Sequence, residues 1–287
     1  MCGGPTVAAF AHDGYEIVDC RRCAHRQAAI AGAVDGDTHV ASVYADEYFT
    51  GGGAGYANYV AEGPLLRRRG QRYGRLLGEA CVRGRVLDVG AAAGFILAGL
   101  SDAGWRGVGV EPNQQMVEFA TTQLDMDVVC TPFELFAAPV EAGRPADTQF
   151  DAVTMVQVVA HFTDPVRALR RAASLLRPGG VLLIETWDRS SRVARMLGPR
   201  WHEYSPPSVL HWFSRSGLDA IAPMCGFTAE SGGRMLKWIG AQHAASLLAY
   251  RAGRHSPFAR VAERIPASLA LPYPADDLFW TLWRRLP

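Results

Sequence analysis

Residues 86–100, VLDVGAAAGFILAGL, decide the fold of this chain. The first residues of this stretch are apolar and strand-forming, and every residue from Gly90 to Gly94 is small. Apolar residues then return at helical spacing from Phe95 onward. The stretch therefore predicts a buried strand, a tight turn in which the backbone can approach a ligand closely, and a helix.

Two acidic residues stand at the ends of the first two predicted strands. Asp88 interrupts the first strand near its end, and Glu111 ends a second apolar run 23 residues later. In a doubly wound α/β sheet, an acid at the end of the second strand lies beside the first turn and can accept both ribose hydroxyls of an adenosine. The two acids therefore predict an adenosyl-cofactor site, without choosing the cofactor.

The turn itself distinguishes two cofactor classes. A dinucleotide fingerprint, G-x-G-x-x-G/A, requires a small third residue where helix packs on strand, and counting from Gly90 that position holds Phe95. The spacing Asp88-x-Gly90-x-Ala92-x-Gly94 instead resembles motif I of class I S-adenosylmethionine-dependent methyltransferases, E/D-x-G-x-G-x-G. Ala92 stands in place of the middle glycine.

Three later segments extend this resemblance along the chain. FDAVTMVQVVAHFTDP (150–165) resembles the family's fourth strand and following loop, and LLRPGGVLLIETWD (175–188) resembles its helix, turn and fifth strand. SVLHWFSRSGLDAIAPMCGF (208–227) is similar to the small-molecule branch that includes the ubiquinone-biosynthesis O-methyltransferases and natural-product enzymes. Ala160 and Val209 depart from that branch, whose members usually carry an acid and a histidine there.

The resemblance implies an α/β fold with a doubly wound, Rossmann-like sheet of seven strands, the last one antiparallel. This core is expected over residues 81–287, with a short helix over 240–253. Residues 1–40 are expected to form a ribbon-like segment. Residues 41–80 are expected to form a helical lid, because aromatic residues there flank a glycine-rich run that suits a hinge.

S-adenosyl-L-methionine is the cofactor that the resemblance implies, and its contacts can be assigned by position. The turn at Gly90–Gly94 and the carboxylate of Asp88 would contact the methionine part of the cofactor, and Glu111 would bind the ribose. The other assigned residues would surround the adenine, the sulfonium and the carboxylate. The assigned residues are Asp88, Gly90, Ala92, Gly94, Glu111, Pro112, Met116, Phe133, Gln157 and Arg72.

Several of these assignments have a competing interpretation. Met116 would wall the adenine together with Pro112, or it belongs to the core. Either Phe133 stacks on the adenine or Glu134 holds its amine. Arg72 reaches the methionine carboxylate, or it is an exposed surface arginine.

A hydroxyl acceptor must lose its proton during methyl transfer, and a neutral histidine is the natural base near pH 7. His161 directly follows the fourth predicted strand, although it could instead cap the next helix or bond to backbone. His202, Glu203, Tyr204 and His211 lie in WHEYSPPSVLHWF (201–213), a loop expected to shape the acceptor pocket, and any of them is an alternative base.

The predicted activity is methyl transfer from S-adenosylmethionine to a small molecule, with oxygen favoured because of His161 and the family resemblance. Transfer to nitrogen or carbon stays open. So does a metal-assisted O-methyltransferase with Glu185, Asp188 and a histidine as ligands. A protein that binds S-adenosylmethionine without turnover is the alternative from another class.

Cysteine spacing predicts a second site near the N-terminus. Cys20-Arg-Arg-Cys23 has zinc-knuckle spacing and resembles an N-terminal zinc ribbon attached to some of these methyltransferases. Cys2 matches one cysteine of the first pair, and the fourth ligand would be His12 or His25. A degenerate ribbon that folds without zinc is the alternative.

Composition limits the partners. The 287 residues carry a formal net charge of +1, which argues against a nucleic-acid partner. No apolar run reaches the length of a membrane span and no signal peptide is evident, so a cytoplasmic location is expected. The expected partner is a small-molecule acceptor, and a homodimer stays open.

Overall fold

The computed structural model describes residues 2–32, 43, 49, 59–137, 150–234, 238–241, 269–272 and 276–287. The glycine-rich run of the expected lid, residues 50–55, lies outside the described residues, as does most of the helix expected over 240–253. Among the described residues, no helix is long and apolar enough to cross a membrane.

The strands follow one another along the chain with helices between them. The described strands are β1 (Thr6–His12), β2 (Tyr15–Cys20), β3 (Arg26–Ala28), β4 (Arg85–Val89), β5 (Arg106–Glu111), β6 (Val128–Cys130), β7 (Phe150–Val156), β8 (Leu176–Trp187), β9 (His211–Trp212), β10 (Phe227–Gly233), β11 (Trp238–Gly240), β12 (Ala270–Pro272) and β13 (Leu278–Arg285). The described α-helices are α1 (Gly63–Ala80), α2 (Phe95–Asp102), α3 (Gln114–Leu124), α4 (Pro165–Leu175), α5 (Arg192–Leu197) and α6 (Arg215–Asp219).

Seven strands form the main sheet in the order β10-β13-β8-β7-β4-β5-β6. The strands from β6 to β8 are parallel, and β13 runs antiparallel between β8 and β10. The predicted sheet with an antiparallel last strand is thereby confirmed. The chain moves outward from β4 to β6 and then returns to β7 on the other side of β4. In an open α/β sheet, ligands bind outside the carboxyl ends of the strands at such a switch point.

Helix α1 packs closely on α2 and thereby lies beside the switch point. The contact passes through two glycines: a Cβ on Gly70 would lie 2.2 Å from the Ile96 carbonyl oxygen, and one on Gly99 would lie 2.1 Å from the Arg67 carbonyl oxygen. No side chain fits between the two backbones at these positions. The close approach brings the first turns of α1 next to the β4 turn.

The N-terminal segment forms a second, four-stranded sheet in the order β1-β2-β3-β9. Its fourth strand comes from the core, because Arg26 pairs with Trp212 and Gln27 pairs with His211. The segment expected as a ribbon over residues 1–40 is therefore joined to the core by a shared sheet.

Candidate functional site

A cleft opens at the switch point, outside the carboxyl ends of β4, β5 and β7. It encloses about 1140 Å³ of empty space, counting solvent at its mouth. Four side chains that precede β4 close one side of it. The lining residues are Phe49, Tyr59, Leu66, Arg69, Asp88–Ala92, Ile96, Val110–Pro112, Pro132–Glu134, Val156–Val158 and His161–Thr163.

Glu111 ends β5 and presents a buried carboxylate to the cleft. Its Oε2 accepts a hydrogen bond from the Ala92 backbone N–H at 2.9 Å, and its Oε1 accepts one from Asn113 N–H at 3.0 Å. Burial raises the pKa of this carboxyl to about 7. A carboxylate has about four lone-pair sites, so both oxygens keep capacity to accept bonds from a ligand. The backbone bonds hold the group in a fixed orientation.

Asp88 provides a second buried carboxylate in the same cleft. Thr154 Oγ1 donates to Asp88 Oδ1 at 2.6 Å, whereas the buried Oδ2 has no hydrogen-bond partner in the described part of the chain. Burial raises the pKa of Asp88 to about 7, and the nearby Glu111 adds to the effect. An unsatisfied buried acceptor that lines a cleft is a position where a ligand donor or a water binds.

The β4 turn uses left-handed backbone conformations at three positions. Gly90, Ala92 and Gly94 have φ angles of 71°, 45° and 79°. A Cβ on Gly90 would lie 2.8 Å from Val158 Cγ2, and one on Gly94 would lie 2.9 Å from Ala120 Cβ. Ala92 adopts the same region with a side chain, at a cost of roughly 1 kcal/mol or more. Gly90 and Ala92 line the cleft, whereas Gly94 packs behind the turn.

An apolar cluster covers the start of α2. The cluster consists of Phe49, Tyr59, Ala92, Ala93, Phe95 and Met116. Met116 is therefore a core residue and is not among the residues that line the cleft. In a dinucleotide site, the N-terminus of this helix meets the pyrophosphate. Here aromatic side chains occupy that region.

The far end of the cleft is formed by residues that follow β5 and β6. Pro112, Phe133 and Glu134 all line it, so both alternatives for the adenine contact are at the cleft. The Phe133 ring packs on Phe162 with centroids 5.9 Å apart. This end offers flat apolar surfaces with one carboxylate beside them.

Arg69, which the sequence analysis did not select, lines the cleft in place of Arg72. Its guanidinium forms a bidentate ion pair with Glu185 on β8, with Nε to Oε2 at 3.0 Å, and the Tyr73 hydroxyl donates to the same carboxylate. Arg72 is exposed. At 3.6 residues per turn, Arg69 borders the face of α1 that buries Gly70 and Tyr73. That helical spacing is the sequence signal that points to Arg69.

Gln157 follows β7 with an unusual backbone. Its φ angle is 58°, and its buried Nε2 has no hydrogen-bond partner among the described residues. The residue lines the cleft, and its backbone N–H donates to the Glu185 carbonyl oxygen at 2.8 Å. A left-handed non-glycine residue with an unsatisfied donor indicates a position shaped for ligand binding.

His161 lies in the short turn after β7 and lines the cleft. Its Nδ1 is 2.7 Å from the Ser208 carbonyl oxygen. A carbonyl oxygen can only accept, so Nδ1 carries the proton, and the neutral ring has its lone pair on Nε2. The bond to backbone expected as an alternative role is therefore present, and it fixes the tautomer that a base requires.

None of the four alternative bases among residues 201–213 lines the cleft. The buried Tyr204 hydroxyl accepts from Arg26 Nη1 at 2.7 Å, and its ring packs against Phe10 of β1 with centroids 4.9 Å apart. His202 pairs with Glu203 at 2.9 Å and lies 3.8 Å from Asp277. The rings of Trp201 and Tyr204 are buried. Trp201 Nε1 donates to Asp277 just before β13, and Tyr204 packs against the N-terminal sheet.

Three cysteines meet at the base of the first hairpin. The sulfur atoms of Cys2, Cys20 and Cys23 lie within 4.8 Å of one another. Backbone N–H groups lower the pKa of Cys20 to about 7, with that of Cys23 the largest cause. A Cβ on Gly4 would lie 3.0 Å from the Cys20 sulfur, so the missing side chain leaves room for the cluster.

Neither candidate histidine joins the cysteines. Thr6 pairs with Cys20 at one end of the hairpin, and His12 pairs with Tyr15 at the other end. At roughly 3.3 Å per residue, six residues separate His12 from the cysteines by about 20 Å. The ring of His25 instead contacts His211, with Nε2 and Nδ1 3.0 Å apart.

The carboxylates suggested for a metal-assisted reaction are paired with arginines. Glu185 binds Arg69, and Asp188 lies 2.7 Å from Arg234. Within the described ranges, the cysteine cluster is the one group of three metal-binding side chains close enough to share an ion. The geometry therefore does not support a metal site at Glu185 and Asp188.

Comparison with known proteins finds similarity to methyltransferases. A family model described as a methyltransferase domain matches residues 63–231. The ubiquinone biosynthesis O-methyltransferase of Saccharophagus degradans is 25% identical over 164 residues, 50% of this chain and 66% of that protein. The protein of the same name from Bradyrhizobium diazoefficiens is 32% identical over 138 residues, 47% of this chain and 51% of that protein. The chain thus spans between half and two thirds of these curated relatives.

Solved structures support the fold. A Burkholderia thailandensis 1,6-didemethyltoxoflavin-N1-methyltransferase with bound S-adenosylhomocysteine has a TM-score of 0.55 at 13% identity, covering 98% of this chain and 99% of that chain. The cyclase SpnF has a TM-score of 0.51 at 18% identity, covering 75% of this chain and 80% of that chain. At these identities the likeness concerns the fold alone.

Proposed function

Because this chain belongs to the methyltransferase-domain family, we propose that it transfers the methyl group of S-adenosylmethionine to a hydroxyl of a small-molecule acceptor. The observation that carries the proposal is the pair of buried carboxylates, Asp88 and Glu111, at the strand ends that border one cleft. Glu111, held by two backbone N–H groups, has the acceptor geometry that suits the vicinal hydroxyls of a ribose.

The apolar cluster at the start of α2 favours S-adenosylmethionine over a dinucleotide. A pyrophosphate needs a helix N-terminus open to solvent or ligand. Phe95, Tyr59 and Phe49 cover that position with apolar surface. The sulfonium cofactor carries no phosphate, so this covering is compatible with its binding.

The remaining contacts of the cofactor follow from the chemistry of the cleft walls. The guanidinium of Arg69 suits the methionine carboxylate, and its ion pair with Glu185 keeps it oriented. The face of Phe133 suits the adenine ring, beside Pro112. Asp88 and Gln157 offer a buried acceptor and a buried donor to the polar atoms between these two ends.

His161 is the proposed base. Its Nδ1–H is bound to the Ser208 carbonyl, so Nε2 is the atom that accepts a proton from the acceptor hydroxyl. The bound cofactor supplies an electrophilic methyl group on a sulfonium. The protein contributes alignment of the two reactants in a cleft that has aromatic side chains in its walls.

The test is turnover of purified full-length chain with S-adenosylmethionine and a panel of small-molecule acceptors. S-adenosylhomocysteine should accumulate in step with an O-methylated product identified by NMR. A product methylated only on nitrogen or carbon would refute the hydroxyl acceptor. Tight cofactor binding without S-adenosylhomocysteine for any acceptor would instead identify a non-catalytic binding protein.

We also propose that the cysteine cluster binds one zinc ion through Cys2, Cys20 and Cys23. Thiolates are preferred zinc ligands, and the low pKa of Cys20 favours the thiolate form near pH 7. A donor other than His12 or His25 would complete the tetrahedron.

The zinc proposal is tested by elemental analysis of protein purified from zinc-supplemented cells. One zinc per chain is expected, with loss in Cys20→Ser and retention in Cys130→Ser, which replaces an exposed cysteine outside the cluster. Equal zinc content in the two variants, or none in the unmodified protein, would contradict the site.

A further inference from the structure

One segment of the core connects the N-terminal sheet to the turn that carries His161. We call residues 204–212 the bridging segment. The Leu210 carbonyl oxygen accepts from the backbone N–H of Ala28 at 2.8 Å, and the Leu210 N–H donates to the Ala160 carbonyl oxygen at 3.0 Å. Leu210 is therefore hydrogen-bonded to the N-terminal sheet through its carbonyl group and to Ala160, the neighbour of His161, through its N–H group.

The same segment supplies the hydrogen-bond partner of the His161 ring. The Ser208 carbonyl oxygen, two residues before Leu210, lies 2.7 Å from His161 Nδ1. A neutral imidazole has two tautomers, and the partner of one nitrogen decides which nitrogen has the lone pair. The position of the bridging segment therefore determines whether Nε2 can act as a base.

Polar side chains that are buried or partly buried hold the bridging segment to the N-terminal sheet. Arg26 on β3 donates to the Tyr204 hydroxyl at 2.7 Å, and Asp19 on β2 accepts a bidentate pair from the same guanidinium at 2.8 and 2.7 Å. The Arg26 hydrogen bond is the main cause that lowers the pKa of Asp19. At the other end of the segment, His211 contacts His25 at 3.0 Å, and both rings are buried.

We propose that the N-terminal sheet is a positioning element of the active site. It holds the bridging segment so that the Ser208 carbonyl keeps His161 in the tautomer with its lone pair on Nε2. The proposal rests on the proposed function only in taking His161 as the base. Without this support, the Ser208 carbonyl moves away from Nδ1 and the ring samples both tautomers. The N-terminal sheet then contributes to turnover without touching cofactor or acceptor.

The test compares Arg26→Met with Arg21→Met in the full-length protein. The first change removes the bond to Tyr204, and the second removes an exposed arginine in the turn that follows β2. The tautomer of His161 is measured by ¹⁵N NMR of the ring nitrogens, next to kcat and calorimetric affinity for S-adenosylmethionine. A wrong histidine tautomer can cost up to about 10⁴-fold in kcat, and for this partial loss we expect a fall on the order of tenfold.

In Arg26→Met, the proposal predicts a mixed tautomer signal, reduced kcat and cofactor affinity within twofold of the parent. Arg21→Met should match the parent in all three measurements. A tautomer signal that stays at the parent position in Arg26→Met overturns the proposal, whether or not kcat falls. If Arg26→Met does not fold, Tyr204→Phe removes the same bond and retains the ring.

The two readouts separate this proposal from the proposed function. If the parent protein shows no turnover with any acceptor, the proposed function fails. The NMR comparison still decides the positioning role, because it requires no turnover. A tautomer that shifts in Arg26→Met supports it, and one that does not shift refutes it.

Discussion

The two sides of the cleft are built in different ways. On the cofactor side, Asp88, Glu111 and the β4 turn are held by bonds between neighbouring elements, such as Ala92 N–H to Glu111. On the acceptor side, His161 is held by the Ser208 carbonyl, and the segment around Ser208 is held by the N-terminal sheet. The carboxylates and turn of the cofactor side are thus held by adjacent strands of the main sheet, whereas the acceptor side also depends on the second sheet, which the N-terminal segment forms.

This difference indicates how amino-acid substitutions should affect the function of each side of the cleft. A local turn with buried carboxylates loses function when its own atoms are altered. A site assembled from distant segments also loses function when supporting residues far from the cleft are altered. Substitutions on the two sides of the cleft separate these behaviours.

The largest effect is expected at the proposed base. His161→Ala should lower kcat by roughly 10²- to 10⁴-fold, since general-base catalysis contributes about that much. Its affinity for S-adenosylmethionine, measured by calorimetry, should stay within twofold of the parent. His202→Ala is the matched control and should keep the parent kcat, because His202 lies outside the cleft. A larger loss in His202→Ala than in His161→Ala would reverse the assignment.

Substitutions of Arg69 and Arg72 test the buried ion pair that joins α1 to β8 at the cleft wall. Arg69→Met leaves the buried carboxylate of Glu185 without its cation, so the free energy of unfolding should fall by about 3–5 kcal/mol. Arg72→Met changes an exposed residue and should alter stability by less than about 0.5 kcal/mol. Urea unfolding of both variants makes the comparison. Equal stabilities would contradict the buried ion pair.

Glu111→Gln tests the cofactor side directly. The amide keeps the size of the side chain and removes the charge that strengthens bonds to ribose hydroxyls. A bond to a charged group contributes about 1.5–3 kcal/mol, so affinity for S-adenosylmethionine should fall by roughly 10- to 150-fold. Glu118→Gln, on the exposed face of α3, is the control and should bind like the parent. Unchanged affinity in Glu111→Gln would exclude this carboxylate from the site.

Cofactor affinity should also depend on pH. Burial raises the pKa of Glu111 and of Asp88 to about 7, so both acids gain protons as the pH falls below 7. The ribose hydroxyls favour the ionised form of Glu111. When Glu111 is protonated, binding of S-adenosylmethionine must therefore release a proton from its carboxyl group. The affinity for S-adenosylmethionine should therefore be highest above pH 8. Well below pH 7, it should weaken by about tenfold per pH unit for each proton that binding releases. A flat calorimetric profile from pH 5 to 8 would show that neither acid changes its protonation state on binding.

The sequence predicted the cofactor side more completely than the acceptor side. Strand ends followed by small or acidic residues identified Asp88, Gly90 and Glu111, all of which line the cleft. Periodicity and motif spacing are properties of neighbouring residues, so these positions can be located without knowing the tertiary structure. The seven-stranded sheet that the family resemblance implies is confirmed.

The acceptor side could not be located in the same way. Tyr204 contacts Arg26, which is 178 residues away, and His161 contacts Ser208, which is 47 residues away. No local pattern encodes such pairs. The sequence therefore predicts Tyr204 only as an alternative base, and it does not identify Arg69, whose partner Glu185 on the cofactor side is 116 residues away. His161 was located because it follows a strand end, but its partner Ser208 was not.

Calorimetric titration of the purified chain with S-adenosylmethionine and, separately, with NAD tests the central claim most directly. Both ligands present an adenosine to Glu111, but only the dinucleotide must place a pyrophosphate at the start of α2, which aromatic side chains cover. The chain should bind S-adenosylmethionine with one site and show no measurable binding of NAD. Tighter binding of NAD than of S-adenosylmethionine would contradict the assignment of this cleft to methyl transfer.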